Sequence, residues 1–431
     1  MITYISLILL GEWSILTFGN GSAWGLFLVE GRWPVVVGTD RLHRYDGISW
    51  TTKYFPPDTS FGEVIEDCAI DSAGFIHLVG VKGEYWGTPK DSIVEYVENN
   101  TGWTRYTYPE PDGFRIDAHP FISIAIKGDT SFMFYEPYSW TCMKMACRVG
   151  SLWSLDTVVT GSVFSPDAQT DESGNLWVFY HQDNPNNPRQ SARCAHQNSG
   201  SWTLEIVEDV PNSFWFTPGP QLAVKGGMVY ALYKPTGTTK DGDDTLRFAW
   251  RKPDGSWYYE KMREFQIQRP GIGPTGLVHG LAAFVGDSVA YYVTRDTTSP
   301  KWDTMGVVDS VNGIMPAETS SQAVWWNGGF MLVDADGNLH AAYTGKNRQL
   351  CYATSGVLIE ESSSDPGLSL ILVPVPQGFW ITGHSGEARI YDSAGRLVLS
   401  KRVKGKTLIS PLKPGVYFVV AGREKARAAV R

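Results

Sequence analysis

Apolar and polar residues alternate along most of this chain in short runs separated by Gly-containing turns, and no long stretch carries apolar residues at helical spacing. The pattern predicts strands joined by tight turns. Three segments share one form: Asp71-Ser-Ala-Gly74-Phe-Ile-His77, Asp171-Glu-Ser-Gly174-Asn-Leu-Trp177 and Asp334-Ala-Asp-Gly337-Asn-Leu-His340. Each lies between two alternating runs and reads as a hairpin whose Gly supplies the positive φ of the turn. Weaker copies keep the register in Ile126–Phe132, Val224–Tyr230 and Phe284–Ala290, and a poor copy runs from Val29 to Val35. The copies recur about every 50 residues, a spacing expected of propeller blades.

A second signature follows each hairpin. A strand leads to a Gly turn, and a Trp comes just after it, as in Gly47/Trp50, Gly102/Trp103, Gly150/Trp153, Gly200/Trp202 and Gly255/Trp257. The strands before these turns align as Met143–Ala146, Ala192–Ala195, Leu246–Ala249 and Leu350–Ala353. Each unit therefore holds four antiparallel strands. One such sheet cannot bury both of its faces alone, so the units must stack, and a ring removes the exposed ends. The expected fold is all-β: a β-propeller of about seven four-stranded antiparallel blades over residues 24–358, with six to eight blades compatible with the pattern.

The pattern changes at both ends. Residues 1–23 read in two ways. They are an apolar run with a small-residue site near Gly21-Ser22-Ala23, as in a signal peptide, or ring-closing strands, since Gly11-Glu12-Trp13 fits the Gly-x-Trp turn. Residues 359–366 form a polar linker. Residues 367–431 alternate strands with Gly/Pro turns, which gives a small β-sandwich with a modest core of its own.

Charge separates the same parts. Residues 389–431 hold 11 Lys/Arg and 2 Asp/Glu, a net of +9, so the rest of the chain carries −17 of the total −8. An acidic body argues against nucleic acid or an anionic membrane as its partner, and no segment beyond the N-terminus is long and apolar enough to span a membrane. None of the five cysteines, Cys68, Cys142, Cys147, Cys194 and Cys351, shows C-x-x-C spacing, so buried thiols are expected, with a Cys147–Cys194 bridge between neighbouring blades as the alternative.

The repeat resembles the BNR-like, sialidase-type propellers of secreted bacterial proteins, through Leu350–Ala353, Trp202 and Asp334–Tyr343. That resemblance implies the architecture and leaves the activity open. Sialidase turns are one residue shorter between Asp and Gly, and three arginines to hold a carboxylate cannot be assigned here. The C-terminal segment resembles a type A sorting domain of the type IX secretion system. The marks are the Ile390-Tyr-Asp-Ser-Ala-Gly-Arg396 hairpin, the Leu412-Lys-Pro-Gly-Val-Tyr-Phe418 strand and a basic last residue, Arg431; Val373-Pro-Val-Pro376 departs from the usual start. The resemblance implies that the type IX machinery recognises residues 367–431 and that the protein is secreted or carried on the outer cell surface.

No strong catalytic motif is present. Gly271-Ile-Gly-Pro-Thr-Gly276 matches G-x-G-x-x-G but contains Pro and precedes no helix, so it reads as a loop. Asp67 and Asp167 align four residues before the turn aspartates, and His119 and His279 fall near the same level, at the rim of the expected funnel. Such groups can do acid–base chemistry or bind a cation, and can equally cap strands or bond backbone amides. His77, Trp177, Tyr230 and His340 share one strand position, where aromatics could stack on sugar rings or pack between blades. Asp241, Asp243 and Asp244 lie in one loop that could take Ca²⁺, the single cofactor candidate, although the twelve-residue pattern is missing. The expected function is binding of a glycan or another surface ligand. The alternatives are a polysaccharide-active hydrolase or lyase at the funnel, and a protein-interaction scaffold.

Overall fold

The structure is a computed structural model. It describes residues 13–47, 49–56, 63–82, 90–114, 122–137, 139, 141–184, 189–198, 200–211, 215–216, 221–236, 245–252, 254–262, 265–267, 269–273, 276–284, 289–296, 302–314, 329–355, 371–375, 378–382, 385–392, 396–404, 407–413, 415–421 and 424–430. The chain forms two compact units, Met1–Arg44 with Thr52–Ala353, and Thr354–Arg431 with Tyr45–Thr51.

The larger part is a seven-bladed β-propeller of four-stranded antiparallel blades. Blades 1 to 6 span residues 23–54, 63–114, 122–160, 163–211, 221–262 and 265–309, and blade 7 combines Gly329–Val333, Leu339–Thr344 and Gln349–Thr354 with the N-terminal strand Ser14–Asn20. That strand is the outermost of blade 7, so the first and last parts of the ring share one sheet. Trp13 and Ile15 pack on the blade 6–blade 7 core, where Trp13 meets Tyr292 edge-on at 5.8 Å. Gly21 N–H donates to Arg348 C=O, and Ala23 N–H to Thr344 Oγ1.

The repeat signatures have physical causes at the blade interfaces. The Trp after the third turn reaches back to the preceding blade. Trp103 Nε1 donates to Tyr54 C=O, Trp257 Nε1 to Glu205 and Trp302 Nε1 to Glu260. The same glutamates pair with arginines of the next blade, Glu205 with Arg251 and Glu260 with Arg295. A buried Tyr closing the second strand does likewise. The hydroxyls of Tyr135, Tyr233 and Tyr343 donate to Glu110, Glu208 and Asp309 on the preceding blade's outer strand. Tyr180 holds the same position in blade 4, but blade 3 offers Val159 where blades 4 and 6 offer Glu208 and Asp309, and the Tyr180 hydroxyl has no partner among the described residues. A buried hydrogen bond to a charged acceptor is worth more than a neutral one, and a buried hydroxyl left without a partner carries a desolvation cost with no bond to offset it. Tyr343→Phe is therefore expected to cost about 2–3 kcal/mol by denaturant unfolding, and Tyr180→Phe to cost nothing or to stabilise. Equal losses at the two positions would remove this account of the Tyr.

The sequence pattern is corrected at blade 6. It assigns the Phe284–Ala290 turn to the first hairpin of its blade, but Val278–Phe284 and Ala290–Arg295 are the second and third strands. The innermost strand is made by Phe265–Ile267 and Gly271–Ile272, both paired with Val278–Phe284. The G-x-G-x-x-G segment is thus the first turn of blade 6. Its backbone bonds, Gly276 N–H to Gly273 C=O and Gly273 N–H to Leu277 C=O, repeat those at Asp171, Gly174 and Asn175. Gly276 has φ +82°, like Gly174 at +77°. Gly271 is needed for close approach, because a Cβ there would lie 2.2 Å from Met331 O in blade 7.

The smaller unit contains a β-sandwich. One sheet orders Ile371–Val375, Gly378–Thr382 and Thr407–Ile409; the other orders Leu397–Lys404, Ser385–Asp392, Gly415–Ala421 and Glu424–Val430. Phe379, Ile381 and Ile409 from one face and Ala388, Ile390, Val403 and Val419 from the other form its core. All five cysteines are free, so the Cys147–Cys194 alternative does not hold. Cys194 packs with Leu222, Ala231 and Ala249 of blade 5, on the sheet face turned away from blade 3. No helix among the described residues is long and apolar enough to cross a membrane.

Candidate functional site

The first strands of all seven blades surround a central channel of about 520 Å³. Its wall is mostly apolar, from Leu26 and Phe27, Ile124 and Ile126, Val224, and Phe330 and Met331, with Asp67, Gln169, Lys225, Arg269 and Asp334 as its principal polar side chains.

The inner edge of each first strand has no neighbouring strand within its own blade, and its backbone groups need other partners. One strand level supplies them. The side chain there accepts from the next blade's backbone. Asp67 Oδ2 accepts from Ile124 N–H at 3.0 Å and from the Ser123 hydroxyl at 2.6 Å, and Ser123 Oγ accepts from Ala168 N–H at 2.9 Å. Asp167 Oδ2 accepts from Leu222 N–H. The facing residues Val79, Phe134, Phe179 and Leu232 put Asp67, Ser123, Asp167 and Gln221 in one register. In blade 6 the register position, four before Gly273, belongs to Arg269. Its Nη2 donates to Asp167 Oδ1 at 2.5 Å, its guanidinium lies 5.5 Å from the Phe330 ring, and its backbone C=O accepts from Met331 N–H. A hydrogen-bonded girdle thus runs from blade 2 to blade 7.

Burial is the main force on the girdle carboxyls. It raises Asp67, while Arg269, Ser123 and the backbone donors pull it down. It raises Asp167 to about 6, where Arg269 opposes it and the Asp67 charge adds to it. Burial lowers the Arg269 guanidinium, and the two aspartates more than restore it. The Cys68 thiol beside Asp67 is pushed up by burial and by that charge.

Asp67 and Asp167 therefore reach the channel level expected of them, Asp67 on its wall and Asp167 against Arg269, and both serve as blade-to-blade acceptors. His279 does not join them. It sits on the second strand of blade 6, buried, with Nδ1 2.7 Å from the Tyr292 hydroxyl, and burial together with the Lys225 charge lowers it to about 4. His119, Asp241, Asp243 and Asp244 lie outside the described residues. Among the described residues no cluster of three or more His, Cys, Asp or Glu could hold a metal ion.

The four ring residues have no face open to a sugar, which corrects their reading as a stacking platform. His77, Trp177, Tyr230 and His340 are all buried, Trp177 7% and Tyr230 2% exposed. Three of them lock the turn. Trp177 Nε1 donates to Asp171 Oδ2 at 3.2 Å, His340 Nε2 to Asp334 Oδ2 at 3.2 Å, and His77 Nε2 stands 3.4 Å from Asp71 Oδ2. A carboxylate only accepts, so the ring nitrogen donates. Burial raises Asp334, yet donors led by His340 and Asn338 outweigh it and hold the carboxyl at about 2. Tyr230 stacks on Phe248 at 5.5 Å instead.

Sequence reasoning missed Arg269. The signal was the turn four residues later, hidden because Gly273 stands where blades 2, 4 and 7 have Asp71, Asp171 and Asp334. A Cβ on Gly273 would lie 2.6 Å from His279 Nε2, so the imidazole occupies the space of the aspartate.

No protein-family model and no curated protein matches the chain. Solved structures resemble it at low identity. The extracellular domain of a hybrid two-component-system protein of B. thetaiotaomicron is 11% identical over 97% of this chain and 52% of its own, with a TM-score of 0.48; the chain spans about half the length of that extracellular domain. The polysaccharide lyase Uly1 is 12% identical over 79% of this chain and 90% of its own, with a TM-score of 0.49. An α-L-arabinanase of Penicillium chrysogenum is 11% identical over 79% and 98%, with a TM-score of 0.43.

Proposed function

We propose that the protein is an exported, non-catalytic propeller that binds a glycan or another surface ligand in its central channel, and that residues 367–431 are a sorting module read by a type IX secretion machinery. The channel carries the binding reading. It is a largely apolar cavity of about 520 Å³ with a few convergent polar groups, the usual make-up of a small-ligand site. Catalysis is the weaker reading because the carboxylates it would use, Asp67 and Asp167, are engaged by donors from neighbouring blades. One observation favours the enzyme alternative: Asp167, lifted to about 6, lies in the range of a general acid. The export reading rests on the Ile390–Arg396 hairpin pattern and on an outer strand, Leu397–Lys404, with Lys401, Arg402 and Lys404 exposed. A screen of the full-length protein on a glycan array, scored for retention and for released product, tests the function. Retention without release is expected. Release of sugar favours the enzyme, and silence on both counts leaves the scaffold.

A further inference from the structure

We propose that the channel takes one uncharged sugar ring, the end of a neutral glycan, between Arg269 and Asp67, and that it rejects sugars carrying a carboxylate. This rests on the reading of the channel as the ligand site.

The donors and acceptors left over at the girdle define the ligand. Arg269 is 23% exposed and gives Nη2 to Asp167, while its buried Nε finds no acceptor among the described residues. Asp67 Oδ2 receives two donors, but among the described residues Oδ1 receives only the Cys68 N–H, at 2.8 Å. A carboxylate oxygen has room for a second. The part-exposed Arg269 side chain thus offers donors, and Asp67 Oδ1 an acceptor, from blades 6 and 2. A hydroxyl both donates and accepts, so neighbouring sugar hydroxyls satisfy the pair; a carboxylate ligand only accepts and an ammonium only donates. Leu26, Ile124 and Phe330 supply the apolar surface that the C–H face of a sugar ring needs.

Charge then selects. The ionisable side chains on or behind the wall are Asp67, Asp167 and Asp334 against Arg269 and Lys225, and Lys225 Nζ is held by Ile272 C=O at 3.0 Å. Arg269 already serves the two girdle aspartates. An acidic sugar turning its carboxylate to Arg269 would bring a further negative charge to a site that already holds Asp67 and Asp167, and like charges repel.

The test is calorimetric titration of the full chain at pH 7.5 with methyl glycosides of galactose, mannose and glucose, against glucuronate and N-acetylneuraminate. At least one neutral glycoside is expected to bind, with both acids weaker by about tenfold or more. Asp67→Asn is expected to weaken the neutral ligand and narrow the gap to the acids, and Arg269→Gln to weaken it by about tenfold or more. Should Arg269→Gln fail to fold, methyl shifts of Leu26 and Ile124 in the wild-type protein, titrated with the same glycosides, locate the ligand without it. Acids bound as tightly as neutral sugars would overturn the selection and leave channel binding standing. Neutral binding that spares these methyls and ignores Asp67→Asn would overturn the channel site while glycan binding survives. No binding by any of the five ligands would overturn the inference, and the array then decides the wider reading.

Discussion

Deleting residues 1–20 is expected to open the propeller, with a loss of about 4–6 kcal/mol, a large part of a domain's stability. The segment carries the outermost strand of blade 7 and the Trp13 and Ile15 side chains that cover the blade 6–blade 7 core. Each large apolar side chain removed from water contributes about 2 kcal/mol. The deletion also strips the outer edge of Gln349–Thr354, which then presents an unpaired strand to other molecules. A fall of more than about 10 °C in the thermal midpoint, with aggregation by light scattering, is the expected readout. An unchanged midpoint would mean that the strand does not close the ring, and would favour the signal-peptide reading of residues 1–23.

Arg269→Ala is expected to cost about 3–5 kcal/mol at pH 8 and much less at pH 5. It leaves Asp67 and Asp167 buried without their cation. The sign follows from linkage. Asp167 has a folded value of about 6, above the usual value of about 3.9 for an unfolded aspartate. Its carboxyl therefore favours the folded state at low pH, and that contribution is lost as pH rises through about 6. Without Arg269 the folded value climbs further. At pH 5 the Asp167 carboxyl is largely protonated in both proteins, so the variant loses little. At pH 8 the wild type holds an ion pair, and the variant must retain a proton or bury a bare charge. Urea unfolding of both proteins at the two pH values checks this; a loss independent of pH would mean that Arg269 acts through packing on Phe330.

The blade rhythm was legible because each blade repeats its physics locally. Asp171 bonds its own turn through Asn175 and Trp177, within seven consecutive residues, so the Asp-x-x-Gly-x-x-ring pattern appears in one dimension. The Trp after the third turn was equally visible, but its reason was not, since Glu205 and Trp257 stand 52 residues apart. Blade 6 was misread where one residue broke the pattern. Gly273 replaces the turn aspartate because His279 takes its space, and only three-dimensional packing shows that Gly273 and Gly276 make the backbone bonds of an Asp-x-x-Gly turn.

Alternation, turn glycines and their period determined by themselves that this chain is a ring of four-stranded blades followed by a separate β-sandwich, because those signals come from residues a few positions apart. The tertiary structure decided which strand is innermost in blade 6, that Ser14–Asn20 completes blade 7, that the aligned ring residues are buried turn locks, and that Arg269 meets Asp167 across 102 positions of sequence. Each of these depends on which face of a strand meets which neighbouring blade, and a one-residue shift in register reverses that face without changing the alternation that the sequence displays.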